Sequence, residues 1–377
     1  MNFEEHAAKP LLRAAGIATP TGGLATSAEE ASAIAAKLGP CVLKAQVPTG
    51  KRGKAGGIKL AANAAEAEAA ASAILGMTIG GHRVERLLVE EQVPIARELY
   101  AAVLNDPASK GPLLLFSARG GMDIEEIAAS HPGELVRLPC DIRKGPDARG
   151  LEAELPRDLP CDPQRLVEVL LGLYAVYAGN DAELVEINPL VVTKDGGLAA
   201  LDCKLAIDDS AIPRRKELAR AGAPEKLTEL ETQATPLGLK FIELDGDVGL
   251  LANGAGLTMT TMDAVRHFGG NPANFMEIGG ESYTKATPAL QLVLSNPRVR
   301  CLLVNFCGAF ARTDVMVDGV IKAWLELKPE IPIFFTIHGT GEDEAIATVK
   351  ERLGITPFDL MDDAVKAAVA AAKEARA

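Results

Sequence analysis

The sequence predicts an α+β region followed by a smaller, doubly wound α/β domain. Two observations support this division. Up to about residue 212, helical stretches mix with strand candidates that return on each other through glycine turns. Beyond about residue 231, apolar strand candidates alternate with helical stretches, which is typical of parallel βαβ units with helices on both faces. A length of 377 residues with 48% hydrophobic residues favours two or three domains.

The N-terminal elements follow from local signals. EEHAAKPLLRAAG predicts a helix that ends at Gly16, and SAEEASAIAAKLG has the Ser start, early carboxylates and closing Gly of another. CVLKAQV and GIKLAAN predict a strand and its return, before an alanine-rich helix near 63–75. The next elements are strands at ERLLVEEQV, ELYAAVLND and GPLLLFSA, a long helix at DPQRLVEVLLGLYAVYAG, and a hairpin from ELVEINPLVV to ALDCKL with KDGG as its turn.

The charged segment 213–231 has little core-forming character and predicts a linker. After it, strands are expected at VGLLANG, ANFMEIGG, VRCLLVNFCG and IPIFFTIHG, and a last helix at DAVKAAVAAAKEARA.

Composition narrows the class of protein. The net charge of −12 argues against general binding to nucleic acid or anionic membranes. The N-terminus lacks signal-peptide features, and no apolar run approaches the roughly 20 residues that span a bilayer. Six scattered cysteines without a CxxC pair predict buried, reduced thiols and argue against a zinc site. A cytoplasmic protein fits these features.

A basic, glycine-rich segment stands out on this acidic chain. VPTGKRGKAGGIKL at 47–60 gathers Lys51, Arg52, Lys54 and Lys59 around four glycines. Backbone N–H groups and cations of this kind suit a polyphosphate, but a solvated basic hairpin turn has the same composition. Lys44, in the preceding apolar strand, needs a partner such as phosphate unless it lies on an exposed edge. The segment does not match GxxxxGK[ST], and elsewhere GAGLTM at 254–259 has Met in place of the third glycine of a dinucleotide fingerprint.

Oxygen donors occur on the predicted hairpin. Alternation puts Glu186 and Asn188 of VEINPLV on one face, and the hairpin could bring Asp202 opposite them. Carboxylate and amide oxygens are suitable ligands for Mg²⁺ that also shares phosphate oxygens. Ordinary polarity beside a turn is the alternative interpretation.

Strand-to-helix turns at NGAG (253–256) and NFCGAFARTD (305–314) could hold an anion, or could serve only as tight turns. No GxSxG, HExxH or Cys–His pairing indicates a nucleophile, and the histidines are assigned surface or capping roles. The five histidines are His6, His82, His131, His267 and His338. If the chain has phosphate and metal sites but no nucleophile of its own, a partner protein is expected to supply the nucleophile.

These motifs together resemble the β subunit of succinyl-CoA synthetase and its relatives, the ADP- or GDP-forming carboxylate–CoA ligases, including malate–CoA ligase-type members. The resemblance runs nearly end to end, through MNFEEHAAKPLL, KAQVPTGKRGKAGG, ARELY, RGGMDIEEIA, EINPLVVTKDG, LDCKL, NGAGLTMTTMD and GGNPANFMEIGG. It implies an ATP-grasp region at 1–230 and a flavodoxin-like CoA-ligase domain at 231–377.

The resemblance also implies roles for individual residues. The nucleotide phosphates of ATP or GTP would be held by Lys44 and the 51–53 turn (Lys51, Arg52, Gly53), and adenine and ribose would be contacted by Glu90, the Val93 backbone and Glu98. Mg²⁺ would be bound by Asn188 and Asp202, and a phosphohistidine would be steadied by Glu186. The acid would be faced by Asn253, Ala309, Phe310 and Ala311.

In the family that the chain resembles, the phosphorylated histidine and the CoA site belong to a separate α subunit, in a heterodimer or heterotetramer. The resemblance implies a phosphoryl relay of the kind that operates in the tricarboxylic acid cycle. ATP would phosphorylate the histidine, the phosphoryl group would pass to a carboxylate, and the CoA thiol would attack the acyl phosphate. The protein positions the groups and neutralises charge.

Several residues depart from the family pattern. Lys51 replaces the first glycine of the usual GRG turn, GGE at 279–281 replaces a glycine triplet, and NFCGAFARTD replaces NIFGGIVRCD. Phe310 adds bulk beside the acid, and Glu281 could repel a second carboxylate. We therefore hypothesise malate, another hydroxy acid or a monoacid as substrate; if the changes lie behind the loop, succinate is used.

Two other functions remain open. A different ATP-grasp ligase would join a carboxylate to an amine, but NGAG and GGNPANF count against it. A non-catalytic, nucleotide-binding regulatory subunit is opposed by the intact Lys44, Glu98, Asn188 and Asp202.

Overall fold

The computed structural model describes residues 1–122, 124–130, 132–223, 226–278 and 284–375. The chain divides into two compact units, Met1–Glu225 and Lys226–Ala377. The domain boundary at residue 230 stays a prediction. In the part of the chain that is described, no helix is long and apolar enough to cross a membrane.

Helices are distributed over both units. They are α1 (Glu5–Ala14), α2 (Ala28–Leu38), α3 (Ala64–Ile74), α4 (Ile124–Ser130), α5 (Ala148–Glu154), α6 (Pro163–Gly179), α7 (Lys216–Ala219), α8 (Glu229–Ala234), α9 (Ala255–His267), α10 (Ala286–Ser295), α11 (Thr313–Leu327), α12 (Glu342–Leu353) and α13 (Met361–Glu374). Short 3₁₀ turns occupy Pro132–Glu134, Asp209–Arg214 and Thr235–Leu237.

Strands make up the remaining regular structure. They are β1 (Asn2–Phe3), β2 (Gly22–Ala25), β3 (Cys41–Ala45), β4 (Ile58–Ala61), β5 (Thr78–Ile79), β6 (His82–Arg83), β7 (Leu87–Glu91), β8 (Ile95–Asp106), β9 (Gly111–Ser117), β10 (Leu135–Pro139), β11 (Ala182–Thr193), β12 (Leu198–Ala200), β13 (Lys204–Ile207), β14 (Phe241–Glu243), β15 (Val248–Ala252), β16 (Asn274–Met276), β17 (Cys301–Gly308) and β18 (Ile333–Gly339).

Among the described residues of the first unit, the short strands β5 and β6 pair only with each other, and the other strands form two larger antiparallel sheets. The smaller has the strand order β2-β7-β3-β4, and α2 and α3 pack together beside it. Both helices begin where the sequence predicts, because Ser27 accepts a hydrogen bond from the Glu30 amide at 3.2 Å and Asn63 accepts one from the Glu66 amide at 3.0 Å. The basic segment connects β3 to β4, which pair antiparallel as a strand and its return.

The larger sheet has the order β1-β13-β11-β8-β9-β10, and β12 also pairs with β11. The predicted hairpin is present, with Leu190 opposite Ala200. Upstream, Glu186 lies opposite Lys204 of β13. The register against β8 shifts between Ile187 and Leu190, and the peptide bond that joins Asn188 to Pro189 is cis. Asn188 therefore lies on a central strand of this sheet, and Asp202 lies in the connection between β12 and β13.

The second unit has a parallel sheet, β15-β17-β18, with helices on both faces. Alternate side chains of β17 explain this layering: Leu302 and Val304 pack into the core that includes α10 and α11, whereas Leu303 packs into the core that includes α9 and α13. The doubly wound prediction is confirmed.

The expected strand at ANFMEIGG does run parallel to β15, but it joins β15 through single parallel bridges at its two ends, Val248–Pro272 and Ala252–Glu277, rather than through a continuous ladder. Its regular part is β16, which pairs antiparallel with β14. The Asn274 side chain explains the difference, because it accepts from the Leu250 amide at 3.0 Å and donates to the Leu250 carbonyl at 2.9 Å. These groups are thereby withdrawn from a regular ladder.

The predicted linker at 213–231 also contains regular structure. It includes the short helix α7 and the start of α8, which begins with a capping box: Thr228 accepts from the Glu231 amide, and Glu231 accepts from the Thr228 amide. Local capping therefore forms a helix where core-forming residues are few.

The cysteines form no disulfide, but the prediction that they are buried is correct for only some of them. All six are free thiols, and Cys41, Cys203 and Cys301 are buried, whereas Cys307 is exposed. Burial raises the pKa of the Cys301 thiol to about 12, which keeps it protonated and unreactive.

We predict that Leu170→Ala in α6 lowers the free energy of unfolding of the first unit by about 2–5 kcal/mol, because Leu170 is fully buried in the core beneath the larger sheet. Urea denaturation followed by circular dichroism measures this loss. Leu171→Ala, on a half-buried neighbour in the same helix, is the control and should cost less. Equal losses for the two variants would contradict the assigned packing.

Candidate functional site

A cavity of about 660 Å³ in the first unit brings together most of the predicted nucleotide and metal residues. It lies between the β3–β4 segment, the connection from β7 to β8, and the β11–β13 region. The predicted residues that line it are Lys44, Lys51, Arg52, Gly53, Val93, Glu186, Asn188 and Asp202. Residues from distant parts of the chain therefore converge on one cavity, as a polyphosphate site requires.

A buried cluster of charged side chains forms one wall of this cavity. We call it the central ion cluster; its members are Glu5, Lys9, Lys44, Arg52, Glu90 and Asp202. The first five are at most 7% exposed, and the Asp202 side chain is 32% exposed. Among the described residues its cations and carboxylates are equal in number, which limits the cost of burying charge.

Lys44 has partners that the sequence did not reveal. Its Nζ lies 2.9 Å from Glu5 Oε1 and 2.8 Å from Glu90 Oε2, and it also donates to the Leu201 carbonyl. Burial disfavours the lysine charge, but the carboxylates of Glu5, Glu90 and Asp202 outweigh this and raise the pKa of Lys44. Lys44 is therefore a fixed, permanently charged ammonium group.

Glu5 and Lys9, one turn apart on α1, were missed by the sequence reasoning. Lys9 Nζ lies 2.7 Å from Glu5 Oε1 and 2.6 Å from Glu90 Oε1. Burial opposes ionisation of Glu5, but the charges of Lys44, Lys9 and Arg52 outweigh it and hold its pKa well below the usual range. One sequence signal could have indicated this pair. Glu5 and Lys9 are four residues apart on a predicted helix, on the same side as the apolar residues Ala8 and Leu12, which face the core.

Arg52 and Asp202 are paired with each other. Arg52 Nη2 lies 2.6 Å from both carboxylate oxygens of Asp202, while Nη1 donates to the Ala45 carbonyl at 3.1 Å. A second contact joins Arg52 Nη2 to Glu5 Oε2 at 2.9 Å. A phosphate on Arg52 or a metal ion on Asp202 must therefore compete with this ion pair.

The other oxygen donors lie on β11. Asn188 Oδ1 accepts from the Gly121 amide at 2.8 Å, and its Nδ2 donates to the Met122 carbonyl at 2.9 Å. The Tyr100 hydroxyl donates to Glu186 Oε2 at 3.4 Å. Burial raises the pKa of the Glu186 carboxyl, although the Lys204 charge and the Tyr100 hydrogen bond oppose this.

The donor set fits a magnesium ion that arrives with a nucleotide. Asn188 and Asp202 offer an amide and a carboxylate oxygen to the same cavity. Within the described ranges, no group of three or more His, Cys, Asp or Glu side chains could hold a metal ion by itself. Mg²⁺ commonly uses one or two carboxylates together with waters and substrate phosphates, so a sparse set suits it.

Glu90 and Glu98, which are predicted to contact adenine and ribose, are not among the residues that line this cavity. The Glu90 carboxylate is buried in the central ion cluster. Glu98 lines a second cavity, of about 710 Å³, beside Arg97 and Arg119. Gly121, whose φ is +74°, packs so closely there that a Cβ would lie 2.1 Å from Glu98 Oε2.

The predicted acid-binding residues lie in the second unit, at the carboxyl ends of its parallel strands. Asn253 Nδ2 donates to the Cys307 carbonyl and its Oδ1 accepts from the Cys307 amide, both at 2.8 Å. The Ala309 carbonyl accepts from the Thr340 hydroxyl at 2.7 Å. Phe310, between Ala309 and Ala311, is fully exposed. Asn253 therefore joins the turn after β15 to the end of β17. Two residues considered in the sequence analysis, Glu281 and His131, lie outside the described residues.

We predict that Lys9→Met lowers the free energy of unfolding by about 3–5 kcal/mol at pH 8, because it leaves surplus buried negative charge. The depressed pKa of Glu5 means that its carboxylate stabilises the protein at neutral pH and loses this effect as pH falls through that pKa. Without Lys9 this pKa rises, so the native variant binds protons earlier and the deficit shrinks towards pH 5.

Urea denaturation at pH 8 and pH 5 measures both effects. Lys37→Met, on an exposed lysine of α2, is the control and should change stability by less than about 0.5 kcal/mol. A Lys9→Met deficit that is equal at the two pH values would contradict the charge balance.

Comparison with known proteins gives the same two-part organisation. A family model described as an ATP-grasp domain matches residues 2–192, and one described as CoA-ligase matches residues 251–373. The succinate–CoA ligase (ADP-forming) subunit beta of Rubrobacter xylanophilus is 42% identical over 387 residues, covering 99% of each chain. The succinate–CoA ligase (GDP-forming) subunit beta of Thermus thermophilus is 43% identical over 356 residues, covering 92% of each chain.

Among solved structures, ATP citrate lyase from Methanothrix soehngenii, in complex with citrate and coenzyme A, superposes with a TM-score of 0.73 over 98% of this chain and 99% of that chain. At 22% sequence identity this similarity supports the fold alone. The full-length relatives and the two matched domains together show that the chain belongs to the succinate–CoA ligase β-subunit family, a family of nucleotide-dependent acid–CoA ligases.

Proposed function

We propose that this chain is the nucleotide-binding β subunit of an acid–CoA ligase that forms acyl-CoA with release of ADP or GDP and phosphate. The observation that carries the proposal is the convergence of Lys44, Arg52, Asn188 and Asp202 on one cavity of the first unit. Two fixed cations beside two oxygen donors suit a metal–triphosphate complex. The CoA-ligase match at residues 251–373 favours this reaction over carboxylate–amine ligation.

In this proposal, Lys44 and Arg52 neutralise the phosphates, with Lys51 and Gly53 of the same segment beside them. Asn188 and Asp202 would hold Mg²⁺, which would supply positive charge to the phosphate oxygens. Val93, Glu90 and Glu98 stay proposed as contacts to adenine and ribose. The nucleotide is ATP or GTP, because the relatives include both ADP-forming and GDP-forming proteins.

Transfer of the phosphoryl group would proceed through a histidine of a partner α subunit, which also binds CoA. The relatives are named as β subunits, which supports such a partner. Glu186 would receive the partner's imidazole: it lines the cavity and accepts a hydrogen bond from the Tyr100 hydroxyl. A carboxylate that orients a ring N–H keeps the other nitrogen available for the phosphoryl group. The cytoplasmic location stays a prediction.

The carboxylic acid would bind at Asn253 and the 309–311 turn. The relatives are named for succinate, which makes succinate one candidate. Phe310 presents a full aromatic side chain at this turn, and this favours malate, another hydroxy acid or a monoacid as the alternative. A bulky group beside a small acid changes selectivity through the shape of its site.

We predict that Asp202→Ala lowers the rate of CoA-dependent ADP formation by at least about 100-fold in the complex with its partner. The variant would lack the carboxylate that is proposed to hold Mg²⁺, and the phosphates would then lose the positive charge that stabilises the transition state. Asp195→Ala, at the exposed β11–β12 turn, is the control and should be active. Unchanged activity of the Asp202 variant would favour the non-catalytic regulatory subunit.

We predict that Phe310→Ile shifts the ratio of kcat/KM between succinate and the preferred acid by about tenfold, since one hydrophobic group in a substrate site discriminates by roughly that factor. Steady-state kinetics of the natively co-purified complex with succinate, malate, other hydroxy acids and short monoacids measures the ratio. Leu325→Ile, at the far end of α11, is the matched control. An unaltered ratio would contradict a role of Phe310 in acid selection.

A further inference from the structure

We propose that Glu5 is a positioning residue: its single carboxylate sets the spacing of Lys44 and Arg52, the two cations that meet the nucleotide phosphates. The inference rests on the proposed nucleotide site and adds a residue to it. Glu5 Oε1 lies 2.9 Å from Lys44 Nζ, and Glu5 Oε2 lies 2.9 Å from Arg52 Nη2. Lys44 therefore contacts one oxygen of this carboxylate and Arg52 contacts the other, so the width of one carboxylate links the positions of the two cations.

The carboxylate is itself held firmly. The Glu5 side chain is 0% exposed, and Lys9, one turn further along α1, contacts its Oε1 at 2.7 Å. On the next turns, Ala8 and Leu12 fix α1 in the core of the first unit. A side chain locked by packing and by a second ion pair is suited to orient other groups.

Arg52 depends on this anchor more than Lys44 does. Lys44 belongs to β3, whose backbone is paired on both sides. Arg52 belongs to the turn that connects β3 to β4, and its side chain is tied down by Asp202, Glu5 and the Ala45 carbonyl. Glu5 thus links a residue of a connecting turn to a residue of a paired strand.

The two carboxylates on Arg52 differ in accessibility. The Asp202 side chain is 32% exposed and lines the cavity beside Asn188, whereas the Glu5 side chain is fully buried and also paired with Lys9. Solvent can replace the contacts of Asp202, but not those of Glu5, when a phosphate approaches. Binding of a metal–nucleotide complex would therefore displace Asp202 from Arg52 and leave the Glu5 contact in place.

Four variants of the complex with its partner test this: Glu5→Gln, Glu5→Asp, and the matched controls Glu4→Gln and Glu4→Asp. Glu4 is the preceding residue, is also buried, and pairs with Arg86 at 3.0 Å rather than with a phosphate cation. Glu5→Asp keeps the cluster neutral and therefore folded, but is one methylene too short to hold both cations. Isothermal titration calorimetry with Mg-ADP gives affinity, and kinetics give the KM values for ATP and CoA.

We expect both Glu5 variants to weaken Mg-ADP binding and to raise the KM for ATP by at least about tenfold, since misplacement of a binding group by about 1 Å has effects of this size or larger. The KM for CoA should change by less than about twofold, and both Glu4 variants should bind Mg-ADP like the unaltered complex. In a Lys44→Met background the loss from Glu5→Gln should be at least about threefold smaller, because the two residues act together.

Three outcomes would overturn the inference. Normal Mg-ADP affinity in Glu5→Asp would mean that the position of the carboxylate is unimportant. Equal losses in the Glu5 and Glu4 variants, or a parallel rise in the KM for CoA, would indicate a general structural defect. Unchanged affinity in Lys44→Met alone would refute the nucleotide site itself, and this separates failure of the proposed function from failure of the positioning role.

Discussion

The ion pairs between α1 and the β3 region are the interaction on which the rest of the first unit depends. A lysine and an arginine buried beside a cavity are tolerated only where carboxylates compensate their charge. Glu5 provides this compensation for Lys44 and Arg52, and Lys9 compensates the carboxylates in turn. The N-terminal helix therefore supplies the wall that holds the phosphate-binding cations of the proposed site.

The larger sheet contributes the opposite kind of group. Its β11 strand and the turn before β13 present amide and carboxylate oxygens to the same cavity, among them Asn188 and Asp202. Cations from the smaller sheet and oxygen donors from the larger sheet thus face one volume within the first unit. This arrangement of cations opposite oxygen donors suits phosphoryl transfer, in which positioning and neutralisation of charge account for most of the catalysis.

The sequence was informative for several features that have local causes. The Ser27 and Asn63 caps, the hairpin before Asp202 and the basic turn after β3 were all predictable from neighbouring residues. The central ion cluster was not, because Lys44 lies 39 positions from Glu5 and Arg52 lies 150 from Asp202. The interruption of the parallel ladder between β15 and this segment escaped prediction, because the Asn274 side chain takes the Leu250 backbone groups. Resemblance to a family supplied candidate roles, but not these partners.

The most direct measurement is a crystal structure of the complex with Mg²⁺ and a non-hydrolysable ATP analogue. The account predicts phosphate oxygens within hydrogen-bonding distance of Lys44 and Arg52, Mg²⁺ on Asn188 and Asp202, and Glu5 still in contact with both cations. Nucleotide phosphates bound away from Lys44, or an Arg52–Asp202 ion pair that persists in the presence of bound Mg-nucleotide, would contradict it.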